Sequence, residues 1–502
     1  MVENTNRTIL VNSLVLYGKI AITTFCSIFA TRFALQALGS VDYGLYSVLG
    51  GIISFVAIFN TIMLSSTNRF IAVALGKGDL EEVNKQFNVC LVIHIVIAII
   101  TLLLATSFGE WYINRYINYE GNISDAIKVF NISIIGSVIS FVGVPYNGVL
   151  MAKEKFIVFS SIDIVVSVIK LIISYLLIGY FQDKLLIYAT TMSILTVVPI
   201  LIYWIYCRIK FFDIVKINIV LEKSRYKEIF DFSAWMSLGA VSYVCKNQGS
   251  ALLVNAFFNT ILNTSLGLAN TINGYISLFA QNVTQPMAPQ IMKNYASGNK
   301  ERVDNLLVMS TKFAFLAMFI ISVPFLIEPE AIIKLWLGSV PPYVVIFTVL
   351  LVVDNLIQSL NSGINNVIFA SGKISLYQLS VSALNVLSIV LAYFALKVGC
   401  PVYCLVVAYI VVSILKFFLV QYILHKTLNY NNEMLIRKSY LPSLSVVLLS
   451  LPLLVLKGHF NPLPSFIIAM VYVCAVILFI GLNNNERQYL MSTIYKMMRR
   501  CV

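Results

Sequence analysis

Charge is scarce in this 502-residue chain: 11% of its residues are Asp, Glu, Lys or Arg, against about 25% in ordinary soluble domains. So little charge cannot keep a chain of this length in water, which excludes a soluble globule. Histidine is scarcer, with three residues, and the cysteines show no metal-ligand spacing. Cys26, Cys90, Cys207, Cys245, Cys400, Cys404, Cys474 and Cys501 fall mostly in or beside apolar runs, where free thiols act as small hydrophobes. No glycine loop ending in Lys-Ser or Lys-Thr is present, which argues against ATP hydrolysis by the chain itself. Neither a metal nor a resident cofactor is expected.

What the chain has is apolar sequence: 59% of residues are hydrophobic. About fourteen runs reach the ~20 residues that span a bilayer as a helix. They cover approximately 9–31, 45–65, 88–108, 127–150, 157–180, 185–206, 233–257, 265–285, 305–327, 343–362, 375–397, 401–424, 441–457 and 465–482. Hydrocarbon offers the backbone no partners, so each run must bond to itself as an α-helix. The first run lacks a small-residue cleavage site and reads as a retained helix rather than a signal peptide.

The net charge of +13 would suggest nucleic acid in a soluble protein; here its placement matters more, and no nucleic-acid partner is expected. Lys and Arg gather at the N-terminus, at the C-terminal tail and in every second loop. The opposite loops hold only Arg32, Arg115, Lys128, Lys184, Lys334, Lys397 and Lys457. Positive charge stays on the cytoplasmic side, which predicts an even number of spans with both termini cytoplasmic. Lys19, Lys170, Lys246 and Lys416 fall inside runs.

An internal repeat organises the runs. "GDLEEVN" (Gly78 to Asn84) follows the second run and "GNKERVD" (Gly298 to Asp304) the eighth, in register at an offset of 220. "YGLYSVLGG" (Tyr43 to Gly51) and "LGLANTING" (Leu266 to Gly274) match at nearly the same offset. The expected fold is all-α and integral to the membrane: two six-helix lobes in a pseudo-two-fold repeat, plus two further helices. Such parallel repeats are a transporter arrangement, with substrate bound at the repeat interface. The domains read as 1–206 for the first lobe, 207–232 for a cytoplasmic linker, 233–424 for the second lobe, 425–482 for the extra helices and 483–502 for a basic amphipathic tail suited to anionic lipid.

Three stretches carry a resemblance to a known family: "RFALQALGSVDYGLYSVLGG", "ALLVNAFFNTILNTSLGLANTINGYISLFAQNVTQPMAPQIMKNYASGNKERV" and "IIKLWLGSVPPY". The chain resembles the polysaccharide-exporter branch, with the O-antigen-type flippases, of the multidrug/oligosaccharidyl-lipid/polysaccharide (MOP) superfamily. Asn259 to Ser265 reads "NTILNTS", where relatives often have a glycine- and alanine-rich turn, so substrate detail does not transfer. The resemblance implies a multi-pass protein of the bacterial inner membrane that moves an undecaprenyl-diphosphate-linked oligosaccharide repeat unit to the outer leaflet by alternating access. It would serve polysaccharide or O-antigen synthesis, beside a polymerase and other glycan-assembly proteins and in contact with membrane lipids.

A diphosphate calls for cations, and sugar hydroxyls for amides that both donate and accept. Lys19 and Lys246 lie on the first run of each lobe, and the repeat offset sets them seven residues, about two turns, out of register. Lys246 opens "KNQGS", and a lysine this deep costs about 2.5 to 3.5 kcal/mol on insertion scales. The candidate substrate residues are Lys19, Arg32, Arg69, Lys246, Asn247, Gln248 and Asn270. Lysine snorkelling or silent pairing, and interfacial anchoring by the arginines, are the bland alternatives. Gln248 falls about 200° around the helix from Lys246, so either the helix is surrounded or it breaks at Gln248–Gly249. Asn270, Asn273, Ser277, Gln281 and Gln285, and Asp354, Gln358, Asn361, Ser362 and Asn365, form polar stripes that are either interhelical glue or water-facing.

Asp163 and Asp354 are the intramembrane acids and the candidate sites for coupling to a proton or sodium gradient. Asp163 is expected to pair with Lys170, seven residues along its helix, and Asp354 has no cation on its own helix. His94 is expected to be packed or hydrogen-bonded. Two other functions stay open: a membrane glycosyltransferase or polymerase, which needs a larger external loop than Ser107 to Ala126, and a cation-coupled small-molecule exporter, which usually carries an acid in its first helix. The chain is expected to be no enzyme.

Overall fold

The computed structural model describes residues 2–116, 122–180, 182–258, 260–337, 340–430, 432–456 and 462–488. The expected basic tail therefore lies largely outside the described residues. Among them the regular structure is entirely helical. The chain divides into two compact units, Leu10–Ser237 and Leu238–Val502 with Met1–Ile9.

In the first unit, α1 (Val2–Lys77) covers the first two expected runs and is broken only at Gly39, with φ 74° and ψ 176°. That region is open to glycine at no steric cost, so one residue replaces the expected loop. There follow α2 (Leu80–Tyr116), α3 (Ile123–Ala152), α4 (Phe156–Leu176), α5 (Lys184–Lys210), the single turn α6 (Phe212–Val215) and α7 (Lys223–Phe257), which continues into the second unit. Phe130, Ile134 and Phe141 of α3 pack with Leu185, Tyr188 and Ala189 of α5 at the core.

The second unit continues with α8 (Thr260–Thr284), α9 (Met287–Ala296), α10 (Lys300–Ile327), α11 (Pro329–Leu337), α12 (Val344–Ser359), α13 (Ser362–Ser371), α14 (Ser375–Lys397), α15 (Cys404–Leu428), the short α16 (Glu433–Leu435), α17 (Leu441–Ser450) and α18 (Pro462–Val476). The helix α10 is central: Phe315 and Phe319 stack at 5.8 Å in a core that also includes Val344, Val446 and Val473.

The repeat motifs have a local cause. Gly78 and Gly298 adopt φ 78° and 75°, the left-handed conformation that ends a helix. The next residue caps the following helix: Asp79 Oδ1 accepts from the Glu82 amide at 3.0 Å, and Asn299 Oδ1 from the Arg302 amide at 3.2 Å. An Asp and an Asn thus do the same work at equivalent positions.

By length and composition, ten described helices can cross a membrane, or up to eleven if the 44° bent pair α12 and α13 is one span. This is fewer than the fourteen runs read from sequence. Among the helices outside this set are α7 and α8, which carry Lys246, Asn247 and Gln248 and Asn270, Asn273 and Gln281.

Candidate functional site

Helical geometry sets Phe159 and Asp163 one turn apart on α4, hence on one face. Lys19 of α1 meets both: its Nζ stands 3.9 Å from the centroid of the Phe159 ring and is ion-paired with Asp163. The expected Asp163–Lys170 pair is therefore replaced. Two turns separate those residues by about 10 Å, whereas Lys19 approaches from a facing helix. The Lys19–Asp163 pair is partly exposed, and Asp163 lines a cavity of about 330 Å³ with Asn60, Ser140, Asn147, Thr196 and Tyr203. Asn60 Nδ2 donates to Ser140 Oγ at 3.0 Å. The Oδ1 atoms of Asn60 and Asn147 are buried with no hydrogen-bond partner among the described residues. A cavity lined by a carboxylate, hydroxyls and amide side chains suits a hydrated ion or a hydroxyl-bearing ligand.

The second unit holds a denser cluster. Lys246 of α7 is 7% exposed, with Nζ 3.8 Å from Asp354 Oδ2 and 3.9 Å from the Tyr409 ring centroid. Asp354 of α12 also accepts from Gln358 Nε2 at 2.7 Å and from Ser413 Oγ. Tyr409, Ser413 and Lys416 recur at helical spacing on α15, and Lys416 interacts electrostatically with both Lys246 and Asp354. Lys416, itself half-buried, thus lies close enough to interact with both charges of the Lys246–Asp354 pair. Asp354, which has no cation on its own helix, is neutralised from another.

The other expected substrate residues scatter. Arg69 is buried between the rings of Phe70 and Phe232, at 4.6 and 4.7 Å. Arg32, Gln248 and Asn270 are exposed and Asn247 is half-buried. The α7 helix runs unbroken through Gln248 and Gly249, which decides that alternative. Gly249 lies where a Cβ would stand 3.2 Å from Ile389 Cδ1, so it serves close helix packing. Of the polar stripes, Asn355 Nδ2 donates to Asn273 Oδ1 at 2.9 Å and Tyr377 donates to Asn365 Oδ1 at 2.8 Å, contacts of the interhelical kind. His94 is fully buried, with Nδ1 2.6 Å from the Cys90 carbonyl, as expected. Among described residues no His, Cys, Asp and Glu cluster could hold a metal. Cys26, Cys90 and Cys207 are buried, while Cys245 is exposed.

Sequence reasoning passed over Asn60 and Asn147, although Asn60 is a lone amide inside its apolar run and Asn147 shares its own only with Asn131. It also passed over Lys312, which is 2% exposed on α10 and bonds to Glu486 at 2.6 Å. The same Glu486 carboxylate accepts from the Asn483 amide at 2.8 Å, and Asn483 Oδ1 accepts from the Glu486 amide at 2.8 Å. This reciprocal pair is a capping box.

The family model MatE matches residues 18–176. "Uncharacterized membrane protein EpsK" of Bacillus subtilis (strain 168) is 20% identical over 287 residues, 57% of this chain and 56% of its own. The chain thus spans about half the length of that curated relative. Among solved structures, a MATE mutant crystal structure matches with a TM-score of 0.74 at 13% identity, covering 84% of this chain and 97% of that one. A MOP superfamily transporter from Pyrococcus furiosus, described by a reverse polarity of its binding pocket that suggests a different function, matches with a TM-score of 0.69 at 14% identity, covering 82% and 94%. The chain has the fold of MATE transporters and is a multi-pass membrane protein, and these matches support the MOP superfamily.

Proposed function

We propose that the protein is a flippase that moves an anionic, lipid-linked oligosaccharide, an undecaprenyl-diphosphate-linked repeat unit, across the bacterial inner membrane by alternating access. The observation that carries this reading is the buried Lys246–Asp354 pair with a second lysine, Lys416, close enough to interact with both of its charges. A lysine in hydrocarbon without a counter-ion is costly, so an excess cation there favours an anionic cargo. In this reading the diphosphate takes over from Asp354 as the counter-ion of Lys246 when the site opens, and Asp354 then binds a proton or sodium ion. Lys19 and Asp163 make the matching exchange in the other unit, while Asn60 and Asn147 bond sugar hydroxyls. Arg32, Arg69, Asn247, Gln248 and Asn270 remain proposed accessory contacts. The partner proteins are a polymerase and other glycan-assembly proteins.

A second reading, a cation-coupled small-molecule exporter, draws support from the acid in the polar cavity of the first unit. The enzyme alternative gains no support from a transporter fold.

Glycan export in cells separates the readings. Lys246→Ala is expected to abolish export at normal protein level, and Lys246→Arg to keep part of it, because charge is retained but shape changes. Undiminished export by Lys246→Ala sinks the flippase role of this lysine. Loss of resistance to toxic cations with intact glycan export favours the exporter.

A further inference from the structure

The segment between α6 and α7 carries an unusual surface. Residues 216–222 are non-helical, yet they are fixed to the first three turns of α2. Asn84 Nδ2 donates to the Ile214 and Lys216 carbonyls at 2.9 and 2.7 Å, and Asn88 Nδ2 to the Lys216 carbonyl at 2.9 Å. The Asn218 amide and Nδ2 donate to Asn88 Oδ1 and Asn84 Oδ1 at 3.0 and 2.7 Å. Tyr226 donates to the Val220 carbonyl at 2.8 Å. Against this anchored backbone Val220 is buried, while Ile217, Ile219 and Leu221 are 63%, 89% and 83% exposed. Three large apolar side chains therefore project in alternation from a pinned segment.

The anchor fixes their depth. Asn84 and Asn88 stand about 6 and 12 Å along α2 from Leu80, at ~1.5 Å per residue. One turn further, Val92, Ile95 and Val96 are the first exposed apolar residues of the spanning part. The segment is thus held where hydrocarbon gives way to headgroups, a layer about 5 to 8 Å thick. Lys210, Lys216, Lys223 and Lys227 flank the apolar row and are exposed. The acids nearby are Asp213, Glu228, Glu222 and Glu82, the last two both paired with Arg225 at 2.5 Å.

We infer that Ile217, Ile219 and Leu221 insert into the adjacent bilayer leaflet while the flanking lysines bind anionic lipid phosphates, so that this linker is a membrane-surface contact. Apolar side chains rimmed by lysines are the chemistry of interfacial binding to anionic lipid. Addition of a partner strand is disfavoured, because the Ile214, Lys216 and Val220 carbonyls and the Asn218 amide are already bonded.

The test is a nitroxide attached at Ile219→Cys, and separately at Leu221→Cys, in the full chain with accessible native cysteines replaced by serine. The protein is reconstituted in phosphatidylcholine vesicles with and without phosphatidylglycerol. Both labels are expected to be accessible to oxygen and shielded from a water-soluble nickel reagent, with a shift to greater depth in the anionic vesicles. Water-like accessibility of both labels in both vesicles overturns the inference. So does shielding that appears only in native membranes, which assigns the surface to a protein partner.

Discussion

Two lysines, Lys19 and Lys246, meet the same two kinds of neighbour with opposite outcomes. Each stands 3.9 Å from an aromatic centroid and faces one aspartate, yet the first pair opens to a polar cavity and the second is buried within electrostatic reach of a further lysine. The contrast teaches that an intramembrane ion pair is defined by what surrounds it. The Lys19–Asp163 pair is partly exposed, whereas Lys246 and Asp354 are buried, where an unpaired charge is costly.

The largest break of this comparison comes from Asp354→Asn, which leaves Lys246 and Lys416 without their carboxylate. Removing one member of a buried pair costs about 3 to 5 kcal/mol, read as a lowered unfolding midpoint of the purified protein. The further change Lys416→Met should recover part of it, and no recovery would show that Lys416 does not share the carboxylate. Next in size is the ring contact. In a double-mutant cycle, Lys246→Met with Tyr409→Leu is expected to give a coupling near 2 kcal/mol, and Lys19→Met with Phe159→Leu about 0.5 to 1 kcal/mol. Equal couplings would remove burial as the difference. The smallest effect is expected for Asp163→Asn, at about 1 kcal/mol or less because the pair is partly exposed. A loss as large as that of Asp354→Asn would mean that the first pair is also structural.

The sequence made the helices legible, since apolar runs need no tertiary information, and the glycine-and-cap motif behind the repeat is local too. Lys19 and Lys246 stood out as charges in hydrocarbon for the same reason. Their partners did not. Pairing depends on which way each helix is turned, and in a membrane both the lipid-facing and the core-facing sides are apolar, so periodicity says little about rotation. Asp163 was thus assigned to Lys170 on its own helix when Lys19, 144 positions earlier in the chain, holds it. Tyr409 and Ser413 carried no signal at all, because single tyrosines and serines are common in apolar helices and only their neighbours distinguish them.

The Lys312–Glu486 bond spans 174 residues of sequence and ties the order of synthesis to the quality of the product. A nascent chain inserts α10 with its lysine long before the ribosome reaches the acid that neutralises it. Until Glu486 emerges, the second unit carries an uncompensated charge in its core. Chains cut short ahead of Glu486 leave Lys312 without the carboxylate that it bonds in the full chain, even though nearly every helix has been made.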